Sequence, residues 1–149
     1  MYRKAITNDV ESIQKLINGF ASENLMLPRS LSEIYENLRD YYVCVDDNTI
    51  TGCAALHIYW KDLVEIRSIA VNKSSQKKGI ATKLIEICIE EAKSLNIKKM
   101  FVLTYLPDFF EKCGFSRITK EDLPHKIWTE CVRCHKFPDC TEVPLLLEL

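Results

Sequence analysis

The sequence predicts an α/β (α+β) fold in which helices flank a mixed, twisted central sheet, built by residues 1–149 as a single domain. Three observations lead there. The strand-like runs between Tyr42 and Val71 are joined by turns too short for a crossover, so they form an antiparallel meander. The hydrophobic period then switches to that of a long helix, and the apolar run Lys99–Leu103 after it must lie inside the sheet, parallel to the strand before the helix. Finally, a chain of 149 residues, 47% of them hydrophobic, buries roughly 68–70% of its unfolded surface, enough for a proper core.

Taken in order, Tyr2–Ile6 is a short strand. Asn8 followed by Glu11 has the spacing of a capping box and opens a helix, whose buried face is Val10, Ile13, Leu16, Ile17 and Phe20. Asn24–Arg29 is a loop. Ser30 and Glu33 repeat the capping spacing and open a shorter helix through Ile34 and Leu38. The strand Tyr42–Val45 ends at the turn formers Asp46-Asp47-Asn48, Ile50–Tyr59 follows, and Lys61-Asp62 leads into Val64–Val71. After Asn72–Gln76, the stripe Ile80, Ala81, Leu84, Ile85, Cys88, Ala92 and Leu95 makes the longest helix, with Lys83, Glu86, Glu90 and Lys93 outward. Phe109–Lys112 is a helical turn ended by Gly114, and Val143–Leu149 is a closing strand. The order is β-α-α-β-β-β-α-β-α-β.

Composition excludes several classes. Lys plus Arg number 20 against 21 Asp plus Glu, a net charge of −1, with a sequence pI near 6.3. A dedicated nucleic-acid binder carries a basic excess, and a disordered chain is less apolar. No apolar run approaches the ~18 residues of a membrane helix, and Met1–Asp9 contains no secretory apolar region. Seven cysteines are an odd number, and without a signal segment they argue for reduced thiols. The expectation is a cytoplasmic protein that binds neither nucleic acid nor membrane.

The chemistry-bearing stretch is Ile66-Arg67-Ser68-Ile69-Ala70-Val71, a loop, and then Gln76-Lys77-Lys78-Gly79-Ile80-Ala81-Thr82 opening the long helix. A glycine turn at a helix start after a strand offers unpaired backbone N–H groups and the positive end of the dipole. Gly79 admits a bulky anion, and Lys77 and Lys78 add charge, so the stretch reads as a pyrophosphate cradle. It has neither the Gly-Lys-Ser/Thr of a P-loop nor three dinucleotide-binding glycines. The plainer alternative is an ordinary helix N-terminus with a solvated lysine pair.

Gln76-x-x-Gly79-x-Ala81 after Ile69-Ala70-Val71 resembles the acetyl-CoA motif of the GNAT family of N-acetyltransferases, Gln/Arg-x-x-Gly-x-Gly/Ala. Phe109-Phe110-Glu111-Lys112-Cys113-Gly114-Phe115 resembles that family's distal Tyr-Glu-Lys-x-Gly-Phe segment, and the element order matches the family fold over nearly the whole chain. More narrowly, Gly52-Cys53-Ala54-Ala55-Leu56, Glu65-Ile66, Phe101-Val102-Leu103-Thr104 and Leu123-Pro124 resemble the acetyltransferase domain of N-acetylglutamate synthases. Leu25-Met26-Leu27-Pro28-Arg29-Ser30 is similar to their Leu-Leu-x-Arg-Ser segment, whose arginine binds glutamate. The chain has no room for an amino-acid-kinase domain, so it would be of the short, stand-alone type.

This resemblance implies acetyl transfer from acetyl-CoA to the α-amino group of L-glutamate, the first step of arginine biosynthesis. An amine of pKa near ~8 is only ~10% neutral at pH 7, so a base is needed. Glu65 stands where the family's strand carboxylate lies and would take that role, its alternative being a surface pairing with Arg67. The backbone N–H of Ile69 or Val71 is the family's donor to the thioester oxygen, with Ala70 between them. Tyr105 could protonate the leaving thiolate. The family more often has its acid tyrosine where Phe110 stands, beside the cofactor. Arg29 and Arg67 are candidates to grip the two substrate carboxylates bidentately, with Ser68 and His57 as further contributors.

Cys131-x-x-Cys134, with Cys140 further on and His135 adjacent, has ligand types suited to tetrahedral zinc; the alternative is free thiols. Cys44, Cys53, Cys88 and Cys113 fall on apolar patterns and read as small core residues. Two other functions stay open at this stage: acetylation of another small amine or a protein N-terminus, and a non-catalytic CoA- or metal-binding module. A homodimer is left open as well.

Overall fold

The structure is a computed structural model that describes residues 1–23, 25–124, 127 and 142–149. In chain order its elements are β1 (Tyr2–Lys4), α1 (Val10–Ala21), α2 (Leu31–Glu36), β2 (Tyr41–Asp46), β3 (Thr49–Trp60), β4 (Leu63–Val71), α3 (Ile80–Ser94), β5 (Lys99–Thr104), α4 (Pro107–Lys112), β6 (Ser116–Arg117) and β7 (Val143–Glu148). The strands make one sheet in the order β1-β2-β3-β4-β5-β7-β6. It is mixed, as expected: β2, β3 and β4 form the antiparallel meander, β1 adds antiparallel to β2, and β5 runs parallel to β4 after the α3 crossover. The closing strand β7 inserts antiparallel between β5 and β6. The two-residue strand β6 has too little pattern to be read from sequence.

Both faces of the sheet are covered. On one, Ala54, Leu56, Val64 and Ile66 pack against Leu84, Ile85 and Cys88 of α3 and against Phe110 and Phe115. On the other, Val43, Cys53 and Ala55 meet Val10, Ile13, Ile17 and Ile34 of α1 and α2. Further along that second face lies a smaller cluster of Tyr59, Leu63, Phe101, Leu123 and Ile127. The alternation of β3 and β4, interrupted at the two irregularities of their ladder, produces this division. Gly52 is what lets α3 approach: a Cβ there would sit 2.9 Å from Ile80 Cγ2.

One local expectation is corrected. Asn8 does not cap α1. The chain enters through a 3-10 turn, Thr7–Asp9, and it is the Asp9 carboxylate that accepts the Ile6 N–H (2.8 Å) and two bonds from the Arg3 guanidinium (2.7 and 3.0 Å). The second capping signal is realised, with Ser30 Oγ accepting the Glu33 N–H. Leu38, expected in that helix, instead begins a 3-10 turn.

The Arg3 hydrogen bonds hold the Asp9 carboxyl below the ordinary carboxylate range despite its burial. A depressed folded pKa contributes stability that is present above the unfolded value and lost as pH falls through the folded one. Asp9→Asn is therefore expected to cost about 2 kcal/mol at pH 7, in the range for hydrogen bonds to charged groups. In denaturant titrations the gap to the parent should narrow as the medium is acidified through the carboxylate range. A gap independent of pH would show that the charge on Asp9 contributes nothing.

Candidate active site

Three features around β4 build the site. The first is the turn from β4 into α3. Asn72 Oδ1 accepts from the N–H and hydroxyl of Ser74, turning the chain after Val71. Gln76 folds back so that its side-chain amide donates to the Val71 carbonyl at 3.1 Å. Lys77 has φ +66°, and Gly79, at φ +79°, is the residue entering α3, with no side chain capping the helix. A left-handed residue at this point favours glycine, and a Cβ on Gly79 would meet nothing within 4 Å. The helix entrance is therefore open, with Lys77, Lys78 and Thr82 exposed and Ile80 and Ala81 half-buried. Backbone N–H groups, the dipole and two ammonium groups together favour an anion.

The second feature is a splay. The parallel pairing of β4 with β5 runs from Leu63↔Lys99 to Glu65↔Phe101, while β4 continues to Val71 and β5 to Thr104. Beyond Glu65 the strands part, and among the described residues the β5-facing edge of 66–71 has no strand beside it. Such an edge offers main-chain donors and acceptors to an extended ligand.

On its other edge β4 is bulged. Cys53 pairs with Ala70 and Ala55 with Arg67, so Ala54 alone faces both Ser68 and Ile69. Ser68 lies at φ +56°, a strained conformation for serine, of the kind that collects at functional sites. Its carbonyl accepts from the Cys53 thiol at 3.4 Å. Burial pushes that thiol up to about 12, so it packs as an inert neutral group.

The third feature is a cluster of charge on the α1/α2 face. Arg67 Nη1 stands 3.5 Å from Glu65 Oε1, their side chains 14% and 9% exposed. Arg29 enters from the loop before α2, which α1 clamps twice: Asn18 Oδ1 accepts the Arg29 N–H, and Gln14 donates to its carbonyl. The guanidinium donates to Glu33 at 3.2 Å, while its Nε is buried with no hydrogen-bond partner among the described residues. Burial alone would lower the Arg29 pKa, but Glu33, Tyr41 and Glu65 outweigh it and raise it. Tyr41 closes the cluster. Burial raises its phenol pKa, against the hydrogen bond with Ser68 and the charges of Arg29 and Arg67.

Glu65, Arg67, Ser68 and Arg29, read separately from sequence, are thus brought into one cluster with Tyr41. His57 is there too, paired across the ladder with Glu65. Ala70 and Val71 are buried and Ile69 half-buried. Tyr105 follows the last residue of β5 and is half-buried. Phe110 is packed into the α3-side core, edge-on to Phe109 and Phe115. Cys131, Cys134 and Cys140 lie outside the described residues; among the described ones no group of three His, Cys, Asp or Glu could hold a metal ion. Sequence reasoning overlooked Tyr41, Asn18 and Gln14. For Tyr41 there was a signal, since it extends the two-residue alternation of Val43 and Val45 by one step; the other two act through tertiary contacts alone.

The model of the acetyltransferase (GNAT) family matches residues 10–115. The chain belongs to that family and is an acetyl-CoA-dependent N-acetyltransferase. It is 35% identical over 147 residues, 99% of this chain and 95% of the other, to an uncharacterized N-acetyltransferase of Chlorobaculum tepidum. An amino-acid acetyltransferase of Mycobacterium tuberculosis is 30% identical over 136 residues, 89% of this chain and 78% of that one. Among solved structures, a Mycobacterium tuberculosis protein in complex with CoA and NLQ superposes with a TM-score of 0.84 at 28% identity, covering 100% and 99% of the two chains. The N-acetylglutamate synthase of Neisseria gonorrhoeae, complexed with CoA and N-acetyl-glutamate, gives 0.92 at 23% identity, a likeness of fold. All of this chain aligns there, to 35% of the longer enzyme. Among the described residues no helix is long and apolar enough to cross a membrane.

Proposed function

We propose that the enzyme transfers the acetyl group of acetyl-CoA to the α-amino group of L-glutamate, the opening reaction of arginine biosynthesis. One observation carries the choice of an acidic acceptor: two arginines, one with a buried Nε that has no hydrogen-bond partner among the described residues, stand near the buried Glu65 carboxylate on the α1/α2 face. A buried donor without a partner is costly, and a dicarboxylic amino acid would supply acceptors for both guanidiniums.

In this reading the diphosphate of acetyl-CoA lies at Gln76–Thr82, and its extended arm follows the open edge of β4. The backbone N–H of Ile69 or Val71 meets the thioester oxygen, and the adduct that forms there is stabilised by that preorganised donor. Glu65 takes the proton from the acceptor's ammonium group, directly or through a water. Arg29, Arg67 and Ser68 hold the carboxylates so that the freed lone pair faces the acyl carbon. Tyr105, at the end of β5, returns a proton to the departing thiolate. The described cysteines Cys44, Cys53, Cys88 and Cys113 are free thiols, which supports a reducing, cytoplasmic setting.

Thiol release from acetyl-CoA, measured across the free L-amino acids, tests the acceptor: glutamate should react best. Arg29→Glu should then raise KM for glutamate by roughly 10- to 150-fold, equivalent to one charged hydrogen-bonded contact of about 1.5–3 kcal/mol, and leave KM for acetyl-CoA unchanged. Efficient turnover of a neutral or basic amine in place of glutamate would overturn the reading.

A further inference from the structure

Each turnover of this reaction releases one proton, and the pocket must dispose of it. Glu65 is poorly placed to do so alone, because its side chain is 9% exposed. Directly across the β3–β4 ladder stands His57. Opposed residues of an antiparallel pair share a face, with Cβ atoms about 4.5–5.5 Å apart. His57 Nδ1 lies 2.7 Å from Asp40 Oδ2. An ionised carboxylate only accepts, so the neutral ring carries its hydrogen on Nδ1 and keeps a lone pair on Nε2. Tyr59 meets the ring edge-on at 5.1 Å. At 24% exposure, the His57 side chain reaches solvent where Glu65 does not. Among the described residues the charged groups it faces include Glu65 on β4, which neighbours Arg67, and Asp40 in the turn preceding β2.

We propose that His57, held by Asp40, carries to solvent the proton that Glu65 removes from the acceptor amine. The inference rests on Glu65 being the base and on no particular acceptor. In the first transfer an ammonium N–H bond breaks and a Glu65 O–H bond forms. That bond then breaks as the proton passes, through a water, to His57 Nε2, and the imidazolium releases it to bulk. As the C–S bond breaks, Tyr105 protonates the thiolate and takes the second amine proton in its place, so that acetyl thioester and ammonium give amide, thiol and one free proton. His57 touches no reacting atom here; it is a positioning and relay residue that acts through Glu65.

The test uses the full-length enzyme and whichever amino acid it acetylates. His57→Asn retains a side-chain N–H for Asp40 but has no basic nitrogen to accept a proton. Its kcat should fall about tenfold, less than the loss of a direct base, with both KM values within about twofold. Added imidazole should restore kcat in proportion to its concentration, which a structural defect would not allow. Asp40→Asn, which frees the ring, should show a smaller loss that is also restored, and it provides the same readout should His57→Asn fold poorly. An unchanged kcat in both variants, or losses that imidazole leaves untouched, would overturn the relay. If Glu65→Gln is inactive under those conditions, the base survives and only the relay fails; if Glu65→Gln is active too, the base assignment falls with it.

Discussion

Glu65→Gln is expected to lower kcat by about 10²–10⁴-fold, the usual contribution of a positioned base. Glutamine keeps the size and hydrogen-bonding capacity of the side chain, so the change removes proton affinity and charge and little else. KM for acetyl-CoA should stay near the parent value, because the proposed place for that substrate is the α3 entrance and the β4 edge, with no contribution from Glu65. The residual activity should climb with pH, about tenfold per unit below the amine's own pKa, since only the free-base fraction of the acceptor can react unaided. Steady-state kinetics over a pH series reads all three effects. Full activity at neutral pH would remove Glu65 from the chemistry and reduce its contact with Arg67 to a structural ion pair.

Phe101→Ala should produce the largest loss of stability. Phe101 is completely buried, tilted against Tyr59 with ring centroids 5.4 Å apart, and packed with Leu63, Leu123 and Ile127. It is also tied into the sheet on both sides, opposite Glu65 on β4 and Leu146 on β7. Truncating a buried phenylalanine costs about 3–5 kcal/mol through lost transfer energy and the cavity left behind, a large part of the roughly 5–15 kcal/mol that holds a domain together. At about 2–4 °C per kcal/mol for a chain of this size, the melting temperature should drop by roughly 6–20 °C, measurable by calorimetry. Because Phe101 belongs to the last pair before β4 and β5 part, kcat should suffer as well in the fraction that remains folded. A loss below about 1 kcal/mol would mean that the neighbouring side chains close the cavity.

Much of this protein was legible in its sequence because the information is periodic or local. The alternation of β3 and β4 and the 3.6-residue stripe of α3 each state which face is buried, and short turns leave the meander no choice but to be antiparallel. The cap at Ser30 needs only its own neighbours. The turn at Gly79 could be found for the same reason: a residue without Cβ, placed between a strand and a helix with lysines before it, points to an open helix entrance whatever the rest of the chain does. The helix start at Asn8 misled because two acidic groups, Asp9 and Glu11, were in competition, and the deciding partner, Arg3, lies on another element.

The arrangement of the pocket could not be read in this way. Nothing near Arg29 in sequence shows that α1 holds its backbone through Asn18 and Gln14, or that its Nε is buried with no partner among the described residues. No local pattern announces that β4 and β5 separate after three pairs, that Ser68 takes up the extra residue of a bulge, or that Asp40 reaches His57. Residues 29, 41, 57, 65 and 67 come together only once the sheet has twisted and the loop before α2 has folded across it. The sequence alone determined the elements, their faces and the anion-ready turn, since short-range sterics and burial set those. The tertiary structure alone decided which charges meet, because electrostatic and hydrogen-bonded contacts depend on distances between segments that the order of residues does not encode locally.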